Sequence, residues 1–467
     1  MSDTVTLNKV LERVDAELDN SLSRLFTLLR IKSISADPAF AGDCKAAAEH
    51  VAKDLASLGF ATEVRPTAGH PAVLGKSNGA AKGAPHVLFY GHYDVQPVDP
   101  LNLWRKPPFE PVIDTLPDGR KIIVARGAED DKGQLMTFVE ACRAWKSVTG
   151  ALPLNITMLI EGEEEVGSKN FVPFLEANKA ELKADFALIC DTGMWDRNTP
   201  AITTSLRGLV YEEVIIKAAN RDLHSGLFGG AAQNPIRVLT RILGKLHDDN
   251  GRVTLPGFYD GVKELPADVL RQWKALNLTP ETFLGPIGLS LPAGEKDRLL
   301  IEQLSSRPTC DINGIVGGYT GEGSKTVIPA QASAKVSFRL VEGQDPAEIR
   351  AAFREFVARQ VPADCRVEFL NHAGAPAVAL DWNMKPLAVA KQVLSEEWGK
   401  ETVLLGSGAS IPIVADFKRT LGLDSVMIGF GLDDDNIHSP NEKYDLQSFH
   451  KGIRSWARLI GAFAAAG

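Results

Sequence analysis

The feature that most constrains the fold is a repeated arrangement in which an apolar run stops directly before metal-type side chains. Four such runs are present, at residues 87–90, 156–160, 186–190 and 426–430, and they lead to His92 and Asp94, to Glu161–Glu165, to Asp191 and to His438. In an open parallel sheet, ligands bind beyond the carboxyl ends of the strands. We therefore expect these side chains to meet at one edge of a sheet, where they favour a metal centre suited to a hydrolase.

Imidazole and carboxylate groups suit Zn²⁺, and a catalytic site keeps one coordination position open for water. Two ions about 3.5–4 Å apart need a shared carboxylate and further ligands for each ion. Asp94, two residues beyond His92, could hold the second ring nitrogen of that histidine and set its tautomer. Each group also has a structural interpretation, since a strand-end histidine, a solvated acidic turn at Glu161–Glu165 and a helix N-cap at Asp130 are all common.

Composition limits the classes of protein to consider. A chain of 467 residues is too long for one ordinary core, so we expect two domains. The net charge of −8, with no basic run, argues against a nucleic-acid partner. Five scattered cysteines without a CxxC pair indicate free thiols in a reducing compartment, and no apolar run reaches the ~20 residues of a membrane helix. The sequence predicts a cytoplasmic protein that does not span a membrane.

Residues 1–204 and 380–467 alternate helical and strand patterns, which predicts an α/β domain with helices flanking a central sheet. Residues 205–379 differ, because strand patterns and two capped helices, beginning at Pro235 and Pro346, occur there without regular alternation. A loop-rich stretch is expected from 251 to 310. The middle segment is therefore predicted to be an inserted α+β domain.

Five segments carry a family resemblance: residues 90–97 (YGHYDVQP), 126–133 (RGAEDDKG), 161–168 (EGEEEVGS), 221–230 (RDLHSGLFGG) and 437–442 (IHSPNE). Together they resemble the co-catalytic zinc metallopeptidases, a family that includes aminoacylase, succinyl-diaminopimelate desuccinylase, glutamate carboxypeptidase and carnosinase. The last two segments are most similar to the carnosinase-like cytosolic dipeptidases. The matches run from about residue 87 to 444 in the family's order. The resemblance implies a zinc-peptidase catalytic domain with a mixed central sheet, and an inserted lid that also forms the interface of a homodimer.

By the same resemblance, two divalent metal ions, most often Zn²⁺ and otherwise Mn²⁺ or Co²⁺, are bound by five residues: His92, Asp130, Glu165, Asp191 and His438. Asp130 is implied as the bridge between the ions and Glu164 as the general base, with Asp94 supporting His92. Glu163 adds a third acid where relatives often have none, so Glu163 and Glu164 both remain candidates for the base.

The resemblance also implies residues that act on the substrate. His224 is expected to stabilise the oxyanion in the partner subunit's site. Arg339 and Thr326 match positions that hold the substrate carboxylate, a task for which an arginine fork is suited. Ser410 and His372 resemble further substrate contacts. His224 could instead be a loop histidine that caps Ser225–Gly226, and Arg339 an ordinary surface charge.

These features predict a metal-dependent dipeptidase that acts on dipeptides with a free C-terminal carboxylate. An alternative keeps the mechanism and takes an N-acyl or N-carbamoyl amino acid as substrate. A second alternative, from a different class, is a non-catalytic metal-binding or scaffold protein with the same fold.

Overall fold

The computed structural model describes residues 4–408 and 411–466. The chain divides into a first unit, formed by Met1–Thr204, Leu380–Leu405 and Pro412–Gly467, and an inserted unit, formed by Ser205–Ala379 and Gly406–Ile411. The α/β class with an inserted α+β segment is confirmed.

A mixed sheet organises the first unit. Its strands, in spatial order, are Ala61–Arg65, Ala72–Ser77, Asn155–Glu161, His86–His92, Phe186–Ile189, Ser425–Met427 and Ala201–Leu206, and Val403–Ser407 also pairs with the last of these. The four strands from Asn155–Glu161 to Ser425–Met427 are parallel neighbours, so their carboxyl ends lie at the same edge. These are the strands whose apolar runs predicted a common edge.

Helices surround this sheet. They are Thr4–Ala16, Leu18–Leu29, Ala41–Ser57, Lys132–Thr149, Phe171–Asn178, Lys385–Trp398, Pro412–Asp416 and Leu446–Ala466, with short 3₁₀ turns at Pro38–Phe40, Leu101–Leu103 and Glu164–Val166 and a π-helical turn at Phe417–Leu421. Lys132–Thr149 is buried along most of its length. Its Phe138 stacks on Phe89 of the central strand, with ring centroids 3.9 Å apart, and Trp456 meets both rings edge-on. This packing holds the start of the helix beside the end of the strand that carries His92.

Two parts of the first unit differ from the sequence patterns. Apolar residues recur at helical spacing from Val10 to Leu29, which predicts one helix, but the chain turns at Glu17 and forms two helices that each bury apolar residues. The strand Lys121–Val124 joins a separate three-stranded antiparallel sheet with Val112–Thr115 and Lys443–Asp445. An apolar run of this kind predicts a buried strand, but it does not show which of the two sheets the strand joins.

A four-stranded antiparallel sheet forms the core of the inserted unit. Its strands, in spatial order, are Thr309–Gly317, Gln331–Leu340, Gly208–Lys217 and Arg366–Ala375, and two short strand pairs join Leu223–His224 to Val327–Ile328 and Val378–Ala379 to Ser205–Leu206. One sheet face is buried by helices Pro235–Leu243 and Pro346–Ala358. Asn234 and Asp345 cap these helices with their side chains, as their sequences predicted. The other face is half-exposed.

The segment expected to be loop-rich contains more structure than its composition indicated. It includes helices Ala267–Ala275, Pro280–Phe283 and Leu300–Ser305, a 3₁₀ turn at Gly285–Ile287, and the start of the strand Thr309–Gly317, while Ser225–Phe228 forms a further short helix upstream. The sequence patterns do not indicate the edge strands Thr309–Gly317 and Arg366–Ala375. Buried and exposed residues do not alternate regularly along these strands, so their apolar residues have no clear period of two. Among the described helices, none is both long and apolar enough to cross a bilayer.

Candidate metal centre

The predicted ligands come from the ends of adjacent strands. His92 is the last residue of its strand, and in the parallel register it lies opposite Glu161 of the neighbouring strand. Asp191 follows the strand on the other side of His92, and Glu165 lies in the 3₁₀ turn beyond Glu161. Asp130 precedes the buried helix Lys132–Thr149, across a cis peptide bond to Asp131.

These ligands form two groups that share one carboxylate. Asp130 Oδ1 lies 3.2 Å from His92 Nε2, and Asp130 Oδ2 lies 2.9 Å from His438 Nε2. His92 Nε2 is also 3.9 Å from Asp191 Oδ2, and His438 Nε2 is 3.1 Å from Glu165 Oε2. In each group one ligand atom per residue falls within 4.8 Å of the others. Asp130 thus presents one oxygen to each group, as a bridge between two ions requires.

The first group has the properties of a metal site rather than of an ordinary ion pair. His92 Nε2 is fully buried and has no hydrogen-bond partner among the described residues. An unpartnered buried nitrogen is costly unless a ligand engages it. Burial alone lowers the pKa of His92, but the carboxylates of Asp130 and Asp94 beside its ring outweigh this effect and raise that pKa well above its usual value. The residues present therefore fit a divalent cation, which would replace the imidazolium proton.

His438 belongs to a strained loop. Its φ is +59°, in the left-handed region that non-glycine residues seldom adopt. Such strain persists where surrounding contacts determine it, and it is frequent at functional sites. Hydrogen bonds to Asp130 and Glu165 raise the pKa of His438 to about 10. The second group thus also places a histidine between two carboxylates, although this histidine is more exposed than His92.

Asp94 supports both parts of the centre. His92 Nδ1 lies 3.1 Å from the backbone oxygen of Asp94 and 3.3 Å from its Oδ1, while the Asp94 carboxylate accepts hydrogen bonds from the backbone N–H groups of Glu164 and Glu165 at 3.3 and 3.1 Å. Because Asp94 is fully buried, these contacts fix the orientation of the His92 ring and the position of the acidic turn.

The three consecutive acids of the turn have different surroundings. Glu163 accepts two hydrogen bonds from Asn170 Nδ2, at 3.1 and 3.0 Å. Glu165 accepts one from Gln96 Nε2 at 2.8 Å and faces His438. The carboxylate of Glu164 has no hydrogen-bond partner among the described residues. Burial, and then the nearby carboxylates led by Asp130, raise the pKa of Glu164 to about 7 although His92 opposes the shift.

Two residues that the sequence analysis assigned no role hold the Asp130 loop in place. Glu442 is fully buried, and its carboxylate accepts hydrogen bonds from the backbone N–H groups of Gly127, Glu129 and Asp130 at 2.9, 3.0 and 3.2 Å. It also pairs with Arg126 Nη1 at 2.7 Å. Arg126 and Glu442 both lie inside the family-like segments. Their position close in sequence to Asp130 and His438 is the feature from which a supporting role could have been predicted.

Glu129, the acid directly before Asp130, does not join either ligand group. Its side chain accepts a hydrogen bond from Gln134 Nε2 at 2.8 Å.

In the inserted unit, the structure brings His224 and Thr326 together. The short strand Leu223–His224 pairs with Val327–Ile328, and Ser225 N donates to Thr326 O at 3.0 Å. His224 Nδ1 accepts a hydrogen bond from Gly226 N at 3.0 Å, so the capping contact considered for this residue is present. That contact fixes the tautomer with the proton on Nε2, which remains available to donate.

The remaining predicted substrate residues occupy different positions. Arg339 lies on the half-exposed face of the inserted sheet, opposite Leu209. His372 pairs with Glu213, with Nε2 and Oε2 3.1 Å apart, on the edge strand Arg366–Ala375. Ser410 lies outside the described residues.

The fold and the two ligand groups are those of a metallohydrolase that uses divalent metal. Residues 88–462 match the model of Peptidase family M20/M25/M40, and the chain belongs to this family. It is 30% identical over 480 residues, covering 99% of each protein, to the Cys-Gly metallodipeptidase dug1 of Schizosaccharomyces pombe.

Solved structures show the same similarity over whole chains. Human carnosine dipeptidase 1 has a TM-score of 0.76 at 27% identity, with 98% of this chain and 99% of that one covered. The M20 family metallo-carboxypeptidase Sso-CP2 of Sulfolobus solfataricus has a TM-score of 0.79 at 31% identity, with 95% of this chain and 99% of that one covered. The carnosinase-like resemblance is thereby confirmed.

Proposed function

We infer that this protein is a metal-dependent dipeptidase that hydrolyses the peptide bond of dipeptides with a free C-terminal carboxylate. The observation that carries this function is the pair of ligand groups sharing Asp130, in a chain whose whole length matches proteins named for dipeptide hydrolysis. Cys-Gly and β-Ala-His are the substrates to test first, because the names of relatives specify them.

The proposed centre takes two divalent ions, with Zn²⁺ preferred by its imidazole and carboxylate donors. His92 and Asp191 would hold one ion, Glu165 and His438 would hold the other, and Asp130 belongs to both ligand groups. When bound, such ions lower the pKa of water and polarise a carbonyl oxygen. Asp94 keeps the His92 ring and the acidic turn in position throughout.

Glu164 is the proposed general base. Its carboxylate is partly buried beside the ligands, has no hydrogen bond within the described chain, and has a raised pKa. A base with these properties can take a proton from water and return it to the leaving amine. Glu163 is a poor candidate by comparison, because both of its oxygens are engaged by Asn170.

The inserted unit supplies the remaining proposed contacts. Arg339 binds the substrate carboxylate, with Thr326, His372 and Ser410 as further contacts. His224 donates from Nε2 to the developing oxyanion. Its family position implies that it does so in the partner's site, so the functional form is proposed to be a homodimer through the inserted unit.

Chelation and metal replacement test the proposal directly. The purified protein is dialysed against a chelator, assayed with Cys-Gly and β-Ala-His, and assayed again after Zn²⁺, Mn²⁺ or Co²⁺ is added singly. Activity that vanishes and returns supports the proposal and identifies the working metal. Hydrolysis that persists in the verified metal-free protein contradicts it.

A substrate panel separates the alternatives. N-acetyl and N-carbamoyl amino acids are assayed beside the dipeptides under the same metal conditions. Preferential cleavage of these acids favours the amidohydrolase alternative, whereas metal binding without any turnover favours the non-catalytic one. A cytoplasmic location is also proposed, since all five cysteines are buried and free.

A further inference from the structure

Arg207 and Arg339 differ from every other shielded arginine on the described part of the chain. Every other described arginine that is buried or half-buried forms an ion pair with a carboxylate at 3.1 Å or less. The longest of these ion pairs joins Arg197 to Asp445. Arg207 and Arg339 are half-buried and have neither an ion pair nor a side-chain hydrogen bond to a described residue. Shielding a guanidinium without a partner is costly, so a ligand is the natural explanation.

The two arginines lie close together in the inserted unit. Arg339 pairs with Leu209 in the antiparallel register, and Arg207 precedes Leu209 by two residues. Nε of Arg207 is fully buried and makes no hydrogen bond to any residue that the structure describes. Its Nη2 lies beside Gly408, where an added Cβ would approach to 2.8 Å. The glycine thus leaves room for this guanidinium, and no described group accepts a hydrogen bond from it.

The Arg207 guanidinium remains cationic at neutral pH. Burial, and then the charge of Arg339, lower the pKa of Arg207 to about 10, which still leaves it protonated. The charge of Asp311, an exposed carboxylate, raises the pKa of Arg207 and so opposes this shift. Two cations and one anion leave one positive charge, which matches a ligand group with a single negative charge.

We propose that Arg207 is a second substrate-binding residue, which with Arg339 binds the one α-carboxylate at the C-terminal end of the substrate. This proposal rests on the dipeptidase function and adds to it a residue that the sequence analysis left without a role. Two guanidinium forks around one carboxylate would make the free carboxylate a requirement rather than a preference.

Kinetics with Cys-Gly and its C-terminal amide, Cys-glycinamide, test the proposal. Arg207→Met should raise KM for Cys-Gly at least tenfold with a smaller change in kcat, and should lower kcat/KM much more for the acid than for the amide. Arg207→Lys, which keeps the charge, should recover part of the loss. The control is Arg366→Met, which removes an exposed arginine from the same unit. An unchanged ratio of kcat/KM for acid over amide in Arg207→Met overturns the proposal.

Two further measurements distinguish a failure of this proposal from a failure of the proposed dipeptidase function. Calorimetric titration of the chelated protein with N-acetylglycine reads carboxylate binding without turnover, and Arg207→Met should weaken it at least tenfold. Weaker binding in Arg207→Met supports the role of the arginine pair even if the wild-type enzyme cleaves no dipeptide. Absence of dipeptide cleavage would overturn only the dipeptidase function. A kinetic loss confined to dipeptides ending in Asp or Glu overturns the proposal, since Arg207 would then bind a side-chain carboxylate.

Discussion

The carboxylate of Glu442 accepts a hydrogen bond from the backbone N–H of Asp130 at 3.2 Å, across 312 residues of sequence. It thereby joins the loop that carries His438 to the loop that carries the proposed bridging ligand. The bond is one of four that this buried carboxylate accepts, the others coming from Gly127, Glu129 and Arg126. Charge-assisted bonds of this kind are strong, so Glu442 can hold Asp130 in place without touching a metal.

Glu442→Gln is expected to weaken metal retention about 10- to 100-fold, the usual range for a residue that orients a metal ligand. An amide would place an N–H group against N–H donors and leave Arg126 buried without its anion, which costs about 3–5 kcal/mol of folding stability. Metal content after dialysis and the melting temperature measure the two effects. Glu396→Gln, on an exposed helical position, is the control. Full metal retention in Glu442→Gln would show that Asp130 needs no such support.

Glu164→Gln should keep both metal ions and lose about 10²–10⁴-fold in kcat, because the amide cannot accept a proton. The matched comparison is Glu163→Gln, which replaces the adjacent acid and should retain most turnover. Metal content by mass spectrometry and kcat with Cys-Gly are measured for both variants. If Glu163→Gln loses turnover and Glu164→Gln does not, the base has been assigned to the wrong residue.

His224→Ala should reduce kcat about 10²–10³-fold with little loss of stability, since His224 is exposed and would donate to the oxyanion. The cross-subunit role is tested by mixing inactive His224→Ala and Glu164→Gln proteins under conditions of subunit exchange. Mixed dimers would contain one site with both groups intact, so activity should reappear. No recovery despite proven exchange would place His224 in the site of its own subunit.

Metal binding at neutral pH should release protons. Without metal, hydrogen bonds to carboxylates raise the pKa of His438 to about 10, so this imidazole is protonated at pH 7 and must lose its proton to bind a cation. Apparent affinity should therefore rise as pH increases from 6 to 9, where the competing proton is progressively removed. Calorimetry in buffers of different ionisation enthalpy counts the protons released.

His438→Asn should release about one proton fewer than the wild type. His450→Asn is the control, because its ring pairs with Asp15, 2.8 Å away, and belongs to neither ligand group. An affinity that does not vary with pH would contradict the protonated state inferred for His438.

The five cysteines should be unreactive in the native protein. All are buried, and burial raises the pKa of Cys44 to about 12, so little thiolate exists at pH 8. A chromogenic disulfide reagent should report fewer than one thiol before denaturation and five after it. A fast native reaction would identify an opening motion near the modified cysteine.

The sequence by itself predicted the fold class and pointed to His92, Asp191 and His438 as candidate metal ligands, because both inferences depend on local patterns. Apolar runs ending at His92, Glu161 and Asp191 predicted parallel strands with one common edge, and the structure places these strands side by side. Capping residues such as Asn234 and Asp345 marked helix starts for the same reason, since a cap acts within its own turn.

Only the tertiary structure decided relationships between distant segments. Sequence patterns could not show that Lys121–Val124 leaves the central sheet, that Glu163 turns toward Asn170, or that Glu442 reaches the Asp130 loop. Nor could they show that Arg207 has no carboxylate partner among the described residues. Each of these depends on which groups are close in space after burial, and burial is a property of the whole fold rather than of a local segment.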